Sequence, residues 1–269
     1  MKNKTKNNIE SRWDDLLNWY SDEEISKVTV AFSGGKDSTL VLDSASEVLQ
    51  DVIAVIIDAE IFPDSEIKLA EKAVKQFGVP YKIIETTKLD DQNFKRNPAD
   101  RCYHCKEMLF SSIKEKLGDD RTILEGTNAS EVHGHRPGLK AVKSHARAPL
   151  LEVGLEEEEI RKLLRWRGKE VWDRPSYACL ASRFPEGSVL TEEKLKKVEK
   201  IEDELHEMGI DQLRVRDFED TARIEVWPEE MQVILKNRKI IIELLKQEGY
   251  ENIFLDLQGY RTGSISPDE

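Results

Sequence analysis

The chain has 269 residues, a formal net charge of −12 and a hydrophobic fraction of 39%. Its length is enough for about two domains at ~150 residues each, and its acidic balance excludes a protein that coats nucleic acid, because phosphates require a basic surface. The longest apolar run (52–57) is too short to cross a bilayer, and the first ten residues lack the apolar core of a secretory signal. We therefore expect a cytoplasmic protein with no membrane partner and no nucleic-acid partner.

Strand-like and helix-like patterns alternate through the first half of the chain, after a short amphipathic helix at 9–20. The predicted strands are KVTVAF (27–32), DVIAVIID (51–58), VPYKIIET (79–86) and RTILEGT (121–127), and the predicted helices are 38–50, 63–78 and 101–118. This alternation indicates βαβ units, and therefore an α/β fold whose parallel sheet has helices on both faces.

The second half of the chain has a different order of predicted helices and strands. The sequence predicts a loop at 126–152, a helix at 155–168, an irregular stretch at 172–190, then a helix at 191–209, strands at 213–218 and 221–227, a helix at 228–249 and a strand at 251–257. The order α-β-β-α-β after residue 190 indicates a small α+β domain. We therefore predict two domains, 1–187 and 188–269.

The first predicted strand ends in the turn SGGKDS (33–38). Its two glycines allow a tight turn and the close approach of a ligand, and the helix that follows begins with N–H groups that favour an anion. Ser33 and Ser38 add hydroxyl groups, and Lys36 adds a cation. The turn therefore predicts a phosphate or pyrophosphate site, although a purely structural glycine-rich turn is the plainer alternative. Its spacing is not that of a Walker A loop.

The stretch VAFSGGKDST (30–39) resembles the PP-loop of the ATP pyrophosphatase superfamily. The resemblance implies an adenine nucleotide alpha hydrolase-like fold and cleavage of ATP between its α and β phosphates, with Mg²⁺ bridging the phosphates. Asp37 is expected to help place Mg²⁺ or the substrate and is a candidate catalytic residue. The candidate nucleotide-binding residues are Ala31, Phe32, Ser33, Gly34, Gly35, Lys36, Asp37, Ser38, Asp58 and Gly126.

Three cysteines are the other source of chemistry in the sequence. Cys102 and Cys105 form a C-x-x-C pair, and Cys179 stands far away in ACLASRFPEG. Their residue types alone leave four uses open: packing in the core, a zinc site with a fourth ligand, a redox pair, or a cubane iron–sulfur cluster with one open iron.

Four further blocks resemble the LarE family, the ATP-dependent sulfur transferases that build the nickel-pincer nucleotide cofactor. The blocks are GHRPGLKA (134–141), SYACLASRFPEG (176–187), LRVRDFEDTARIEV (213–226) and FLDLQGYRTGS (254–264). The resemblance implies that the substrate is pyridinium-3,5-biscarboxylate mononucleotide, which is adenylated on a carboxylate and then converted to a thiocarboxylate. It also implies a homo-oligomer.

Within that family, the single-cysteine members give up the sulfur of the residue that matches Cys179. The resemblance to three-cysteine members implies instead that Cys102, Cys105 and Cys179 ligate a 4Fe-4S cluster whose open iron carries an extra sulfide from an outside source. We expect this variant, with Cys179 as a catalytic residue.

Several charged residues are candidates for binding phosphate. Arg214 and Arg216 alternate on one predicted strand, so both point to one face and suit the phosphate of a mononucleotide. Arg183 and Arg136 are further candidates for contacts with the substrate or AMP. Glu225 is a candidate metal ligand near the phosphate.

Each of these residues has a plainer alternative. Arg214 and Arg216 would form surface ion pairs with Asp217, Glu219 or Asp220. Arg183 would pair with Glu186, and Glu225 would be a solvated strand carboxylate. His133 and His135 are interpreted as ordinary loop histidines, and Glu156–Glu159 as the solvated first turn of a helix.

Two other functions are compatible with the same motifs. A tRNA sulfurtransferase shares the PP-loop, the C-x-x-C pair and a third cysteine, but its substrate is at odds with the net charge of −12. A nucleotide-binding domain with a structural zinc and no enzymatic activity is the second alternative.

Overall fold

The computed structural model describes residues 8–132, 138–173 and 178–261. These residues form two compact units that alternate along the chain. As far as they are described, the first unit takes residues 1–59, 64–86 and 100–177, and the second takes residues 60–63, 87–99 and 178–269. The second unit thus includes two short segments from the first half of the sequence. The predicted boundary between residues 187 and 188 stays a prediction.

The strands form one sheet in each unit. They are β1 (Lys27–Ala31), β2 (Asp51–Asp58), β3 (Tyr81–Glu85), β4 (Thr122–Leu124), β5 (Leu213–Phe218), β6 (Thr221–Val226) and β7 (Asn252–Leu255). The first sheet has the order β3-β2-β1-β4 with every neighbouring pair parallel, which confirms the predicted α/β architecture. In the second sheet β5 pairs antiparallel with β6, and β6 pairs parallel with β7.

The helices connect these strands. They are α1 (Asn8–Asp22), α2 (Lys36–Val48), α3 (Asp64–Val74), α4 (Gln92–Lys95), α5 (Arg101–Leu117), α6 (Gly138–His145), α7 (Pro149–Glu152), α8 (Glu157–Trp166), α9 (Glu192–Glu207), α10 (Met231–Lys236) and α11 (Arg238–Gln247). Short 3-10 turns cover Lys75–Phe77, Ala129–Val132, Glu170–Asp173, Leu180–Arg183 and Pro228–Glu230. Within the described ranges, no helix combines the length and apolarity that a membrane span needs.

The core of the first unit fixes the start of α2 against the end of β1. Val28, Thr29 and Val30 are all buried although they point to alternate faces of the sheet, because helices cover both of those faces. Trp13 and Leu16 of α1 belong to the same apolar core. The loop between β1 and α2 therefore connects a strand and a helix that both pack into this core.

The second unit is built around α9 and β5. The buried residues of α9 recur at helical spacing, as expected for one apolar face. They are Leu195, Val198, Ile201, Glu202 and Leu205. Glu202 is the charged member of this face, and its burial requires a partner.

The prediction of a loop at 126–152 is wrong, because α6 and α7 lie within it. Only two hydrophobic side chains of α6, Ala141 and Val142, are buried, and α6 packs against α5. With so few apolar residues, the sequence of α6 shows no clear helical periodicity of hydrophobic positions.

The single helix predicted at 228–249 is also wrong. The segment divides into a 3-10 turn, α10 and α11, with a break at Asn237. The Asn237 side chain donates from Nδ2 to the carbonyl oxygen of Val233 at 3.0 Å. An asparagine side chain that bonds to the backbone competes with helix continuation.

Candidate nucleotide site and guanidinium cluster

The loop between β1 and α2 is closed by hydrogen bonds to Ser38. The Ser33 N–H donates to Ser38 Oγ at 3.2 Å, and the two hydroxyl oxygens lie 3.1 Å apart. Ser38 Oγ in turn donates to the carbonyl oxygen of Gly35 at 3.1 Å. Gly35 is the N-cap of α2, so no side chain at that position accepts a hydrogen bond from the first helical turn. This geometry presents backbone N–H groups as an anion site requires.

Two glycines are required by close contacts around this loop. Gly34 has φ of +73°, and a Cβ there would lie 2.8 Å from Cα of Ala70. A Cβ on Gly126 would lie 2.9 Å from the backbone nitrogen of Ser38 and 3.0 Å from Cβ of Asp37. The segment after β4 therefore lies directly against the first turn of α2, which explains the glycine at 126.

The charged groups of the loop are paired with each other and with residues from other elements. Lys36 is buried, and its Nζ lies 3.4 Å from a carboxylate oxygen of Asp37 and 3.4 Å from one of Glu157. Asp37 Oδ1 accepts a hydrogen bond from Asn128 Nδ2 at 3.0 Å. Burial raises the pKa of Asp37, although the Lys36 charge and the Asn128 hydrogen bond oppose this rise.

The sequence reasoning missed Asn128. Its position in the sequence could have indicated it as a site residue, because polar residues just after the carboxyl end of a parallel strand lie at the ligand-binding edge of such sheets. Glu156–Glu159 was correctly interpreted as a first helical turn, and Glu159 and Glu156 form a capping box there. The contact from Glu157 to Lys36 was not foreseen.

Asp58 ends β2, next to the loop strand in the sheet, and is half-buried. Its carbonyl oxygen accepts a hydrogen bond from the Thr86 N–H at 2.9 Å. Ala31 and Phe32 complete the end of β1, where the Phe32 N–H donates to Val55 at 2.8 Å. Arg136, His133 and His135 lie outside the described residues.

The cysteines are divided between the two units. Cys102 is exposed and Cys105 is half-buried, and they lie one turn apart at the start of α5 in the first unit. Cys179 belongs to the second unit and precedes the 3-10 turn Leu180–Arg183. No group of three or more His, Cys, Asp or Glu side chains arranged to hold a metal occurs in residues 8–132, 138–173 and 178–261.

Arg183 is fully buried and forms a two-point ion pair with Glu202. Its Nε and Nη2 donate to the two Glu202 oxygens at 2.9 and 2.7 Å. Its Nη1 donates to the carbonyl oxygens of Ala178 and Cys179 at 2.8 and 3.2 Å. The alternative of a salt bridge to Glu186 is wrong, because the buried face of α9 supplies the partner. Arg183 thus holds the backbone at Cys179.

A second buried ion pair joins β5 and β6. Arg216 donates from Nε and Nη2 to Glu225 Oε2 at 3.0 and 2.8 Å, and Arg223 lies 2.8 Å from Oε1 of the same carboxylate. Arg216 also donates to the carbonyl oxygen of Ser182 at 2.8 Å. Glu225 is fully buried, so the alternative of a solvated carboxylate is wrong.

Arg214 lies on the same face of the sheet as Arg216 and is also buried. Its guanidinium lies over the Tyr260 ring, 5.1 Å from the centroid. Burial lowers its pKa, and the nearby Arg183 charge acts in the same direction. The alternative of surface ion pairs for Arg214 and Arg216 is therefore wrong.

We call the set Arg183, Arg214, Arg216, Arg223, Glu202 and Glu225 the guanidinium cluster. Its guanidinium groups surround the carboxylates of Glu202 and Glu225. Guanidinium groups gathered in this way are of the kind that bind anions such as phosphate. Both oxygens of Glu225 contact guanidiniums, and its role as a metal ligand stays a prediction. Glu202 was missed, although a charge within an apolar helical stripe was a usable signal.

Comparison with known proteins gives two kinds of match. The NAD synthase family model matches residues 9–107. A pyridinium-3,5-bisthiocarboxylic acid mononucleotide synthase of Lactiplantibacillus plantarum is 32% identical, with 91% of this chain and 90% of that protein covered. An uncharacterized protein of Synechocystis sp. is 31% identical over 96% of this chain and 98% of its own length. An uncharacterized protein of Methanocaldococcus jannaschii is 26% identical over 96% of each chain.

Proposed function

The chain belongs to the LarE family of PP-loop enzymes, and on that premise we propose that it converts a carboxylate of pyridinium-3,5-biscarboxylate mononucleotide to a thiocarboxylate in an ATP-dependent sulfur transfer. The Lactiplantibacillus plantarum relative is named as a synthase of the bisthiocarboxylic acid mononucleotide, which supports this choice of substrate and product. The observation that carries the ATP requirement is the loop between β1 and α2.

In the first step a carboxylate oxygen of the substrate attacks the α-phosphorus of ATP. A P–O bond forms, the bond from the α-phosphorus to the oxygen that bridges to the β-phosphate breaks, and pyrophosphate leaves with that oxygen. The loop is suited to the leaving anion, because the first turn of α2, Ser33, Ser38 and Lys36 place donors and a cation together. Donors aimed at a growing negative charge stabilise the transition state.

Asp37 is the proposed magnesium-placing residue of this step. A carboxylate is a ligand type that Mg²⁺ prefers, and the half-buried carboxylate of Asp37 would hold the ion beside the phosphates. Asp58 and Gly126 complete the proposed nucleotide site. Gly126 contributes by the absence of a side chain, which lets its segment approach Asp37.

In the second step a sulfur nucleophile attacks the carbonyl carbon of the acyl-adenylate. A C–S bond forms and the C–O bond to AMP breaks, so AMP leaves with its oxygen. We propose Cys179 as the catalytic cysteine, and Arg183 holds the backbone carbonyl of that residue. The proposed nucleophile is a sulfide anion, whose attack gives the thiocarboxylate directly and releases its proton to solvent. Sulfide is a good nucleophile near neutral pH, whereas a hydroxyl would need a general base.

We further propose that Cys102, Cys105 and Cys179 ligate a 4Fe-4S cluster that, when bound, supplies the transferred sulfide. Cys102 and Cys105 suit two of the ligands, because they lie one turn apart and are accessible. No group of three or more such ligands is found in the part of the chain that the structure describes. The sulfide would come from an outside donor.

The guanidinium cluster is proposed to bind the phosphate of the mononucleotide, since planar guanidiniums match phosphate oxygens in pairs. Arg136, which lies outside the described residues, stays a candidate for a second phosphate contact. A cytoplasmic location and a homo-oligomeric assembly belong to the same proposal.

The test is calorimetric titration with ATP, followed by an assay for pyrophosphate release with and without the mononucleotide. We expect Lys36→Ala to weaken ATP binding by about 10-fold or more, as expected for a lost hydrogen bond to a charged group. Lys75→Ala, which removes an exposed lysine of the same unit paired with Glu71, is the matched control. Absence of ATP binding would overturn the proposal, and release that depends on tRNA instead would favour a tRNA sulfurtransferase.

A further inference from the structure

Asn128 links two carboxylates that come from different parts of the first unit. Its Nδ2 donates to Asp37 Oδ1 at 3.0 Å and to Glu131 Oε1 at 3.3 Å. Asp37 lies in the first turn of α2, and Glu131 lies in the 3-10 turn after β4. The side chain of Asn128 is almost fully buried, with 2% of its surface exposed. One amide group therefore holds two negative groups at the edge of the proposed nucleotide site.

The second feature of this amide is its oxygen atom. Oδ1 of Asn128 is buried and accepts no hydrogen bond from residues 8–132, 138–173 or 178–261. A buried asparagine that serves only to stabilise structure normally uses both its donor and its acceptor groups. Asn128 uses only its N–H donors here, and both groups that accept from them are carboxylates.

The backbone around Asn128 is fixed independently of its side chain. On the preceding side, the Thr127 N–H donates to Glu125 Oε1 at 2.9 Å, and Lys106 Nζ donates to the other Glu125 oxygen at 2.8 Å. On the following side, the Ala129 N–H donates to Leu155 at 2.9 Å. Since these bonds hold the segment, the amide of Asn128 is available to orient the carboxylates.

We propose that Asn128 is a positioning residue that holds the Asp37 carboxylate, with Glu131 beside it, for the ATP-dependent step; this inference rests on the proposed function. Two carboxylates near one point repel each other, and a shared pair of N–H donors offsets that repulsion. Without these donors, the carboxylate of Asp37 would turn away from Glu131 and towards Lys36. The nucleotide would still bind to the loop, but Asp37 would be misplaced for catalysis.

The test separates binding from turnover in Asn128→Asp, which keeps the size of the side chain and replaces both N–H donors by an oxygen. We expect pyrophosphate release to slow by about 10- to 100-fold, the usual effect of losing a group that orients a ligand residue. We expect the Kd for ATP, measured by calorimetry, to change by less than about threefold, because the loop donors remain.

Asn93→Asp is the matched control, because Asn93 is exposed in the first turn of α4, where a new carboxylate is tolerated. If Asn128→Asp does not fold, Asn128→Ser, which keeps one O–H donor and adds no charge, allows the same measurement, with a smaller loss of turnover expected.

Two results would overturn the positioning role. One is turnover at the unsubstituted rate in both Asn128 variants. The other is a loss of ATP affinity and of unfolding midpoint in proportion to the loss of rate, which a structural role would produce. Failure of the unsubstituted protein to bind ATP would instead remove the proposed function, and this inference with it.

Discussion

The ammonium group of Lys36 lies 3.4 Å from Glu157, at the same distance as from its neighbour Asp37. The cation expected to meet pyrophosphate is therefore shared between two carboxylates. Burial raises the pKa of Glu157, but the charges of Lys36 and Arg161 outweigh burial, and the pKa is lowered overall. Glu157 is thus ionised at neutral pH and competes with the anion for Lys36.

The first prediction is that Glu157→Gln binds pyrophosphate about fivefold more tightly, because it removes a negative charge close to the anion. Two unit charges about 4 Å apart interact by about 1 kcal/mol in a water-like dielectric, which corresponds to that factor. The measurement is calorimetry with pyrophosphate at fixed salt. Glu158→Gln, which neutralises an exposed acid of the same helix paired with Lys162, is the control. Equal affinities in the two variants would contradict the prediction.

The second prediction concerns Gly126→Ala. The new Cβ would lie 2.9 Å from the Ser38 backbone nitrogen, so the first turn of α2 or the segment after β4 has to shift. We expect a loss of about 1–3 kcal/mol in the free energy of unfolding and at least a tenfold weaker binding of ATP. In Gly138→Ala the nearest contact is a lysine side-chain carbon at 3.4 Å, so its stability should change little. ATP affinity that survives in Gly126→Ala would refute the close-contact explanation.

The third prediction tests the buried pair of Arg183 and Glu202. Glu202→Ala leaves the guanidinium buried without its carboxylate, which costs about 3–5 kcal/mol. Glu192→Ala on the same helix removes only an exposed pair with Lys196, which is worth about 0.3–0.5 kcal/mol. Hydrogen exchange of the α9 amides reports the local loss of stability. Similar protection in the two variants would show that the buried pair contributes no more than the exposed one.

The fourth prediction follows from the pKa of Glu202. Burial raises this pKa, but Arg183 and the other donors outweigh burial and lower it below 4.5. A carboxyl whose folded-state pKa is lowered stabilises the protein fully above its unfolded pKa, and this stability is lost as pH falls through the folded value. Protection of α9 should therefore decline between about pH 5 and pH 3. In Glu202→Gln this decline should be shallower; an identical decline would assign acid sensitivity to other groups.

The fifth prediction concerns the proposed cluster. Protein purified without oxygen should be brown and contain about four iron atoms and acid-labile sulfide per chain. Cys102→Ala should lose the iron and keep its affinity for ATP, because the nucleotide loop is a separate element of the chain. Zinc without sulfide would contradict the cluster and favour a structural metal site. Iron content that is unaffected by Cys102→Ala would exclude that residue as a ligand.

Local features of the sequence were sufficient to predict the sheet and the position of the loop between β1 and α2. The predicted bounds of β2, Asp51–Asp58, match the structure residue for residue, because a strand buried on both faces is a continuous apolar run between polar ends. The loop at 33–38 was recognisable because its glycines, serines and lysine are neighbours in the sequence.

The contacts that complete the candidate site depend on residues far apart in the chain. Asn128 and Asp37 are 91 positions apart, and only the parallel pairing of β1 with β4 brings their segments together. Arg183 pairs with Glu202 and not with Glu186, which is closer in the sequence, because the packing of α9 on β5 decides which acid is buried. The helix α6 was missed for a related reason, since its stability comes from packing on α5 and not from its own pattern.

The short segments 60–63 and 87–99 belong to the same unit as the described part of residues 178–269. They precede that part by roughly a hundred positions, and in the sequence they lie between segments of the other unit. During synthesis on the ribosome they emerge long before the strands β5–β7 exist. The second unit can therefore be completed only after β5–β7 have been synthesised. A stop codon introduced near residue 187 would leave these two segments without the residues they pack against and make them targets for chaperones.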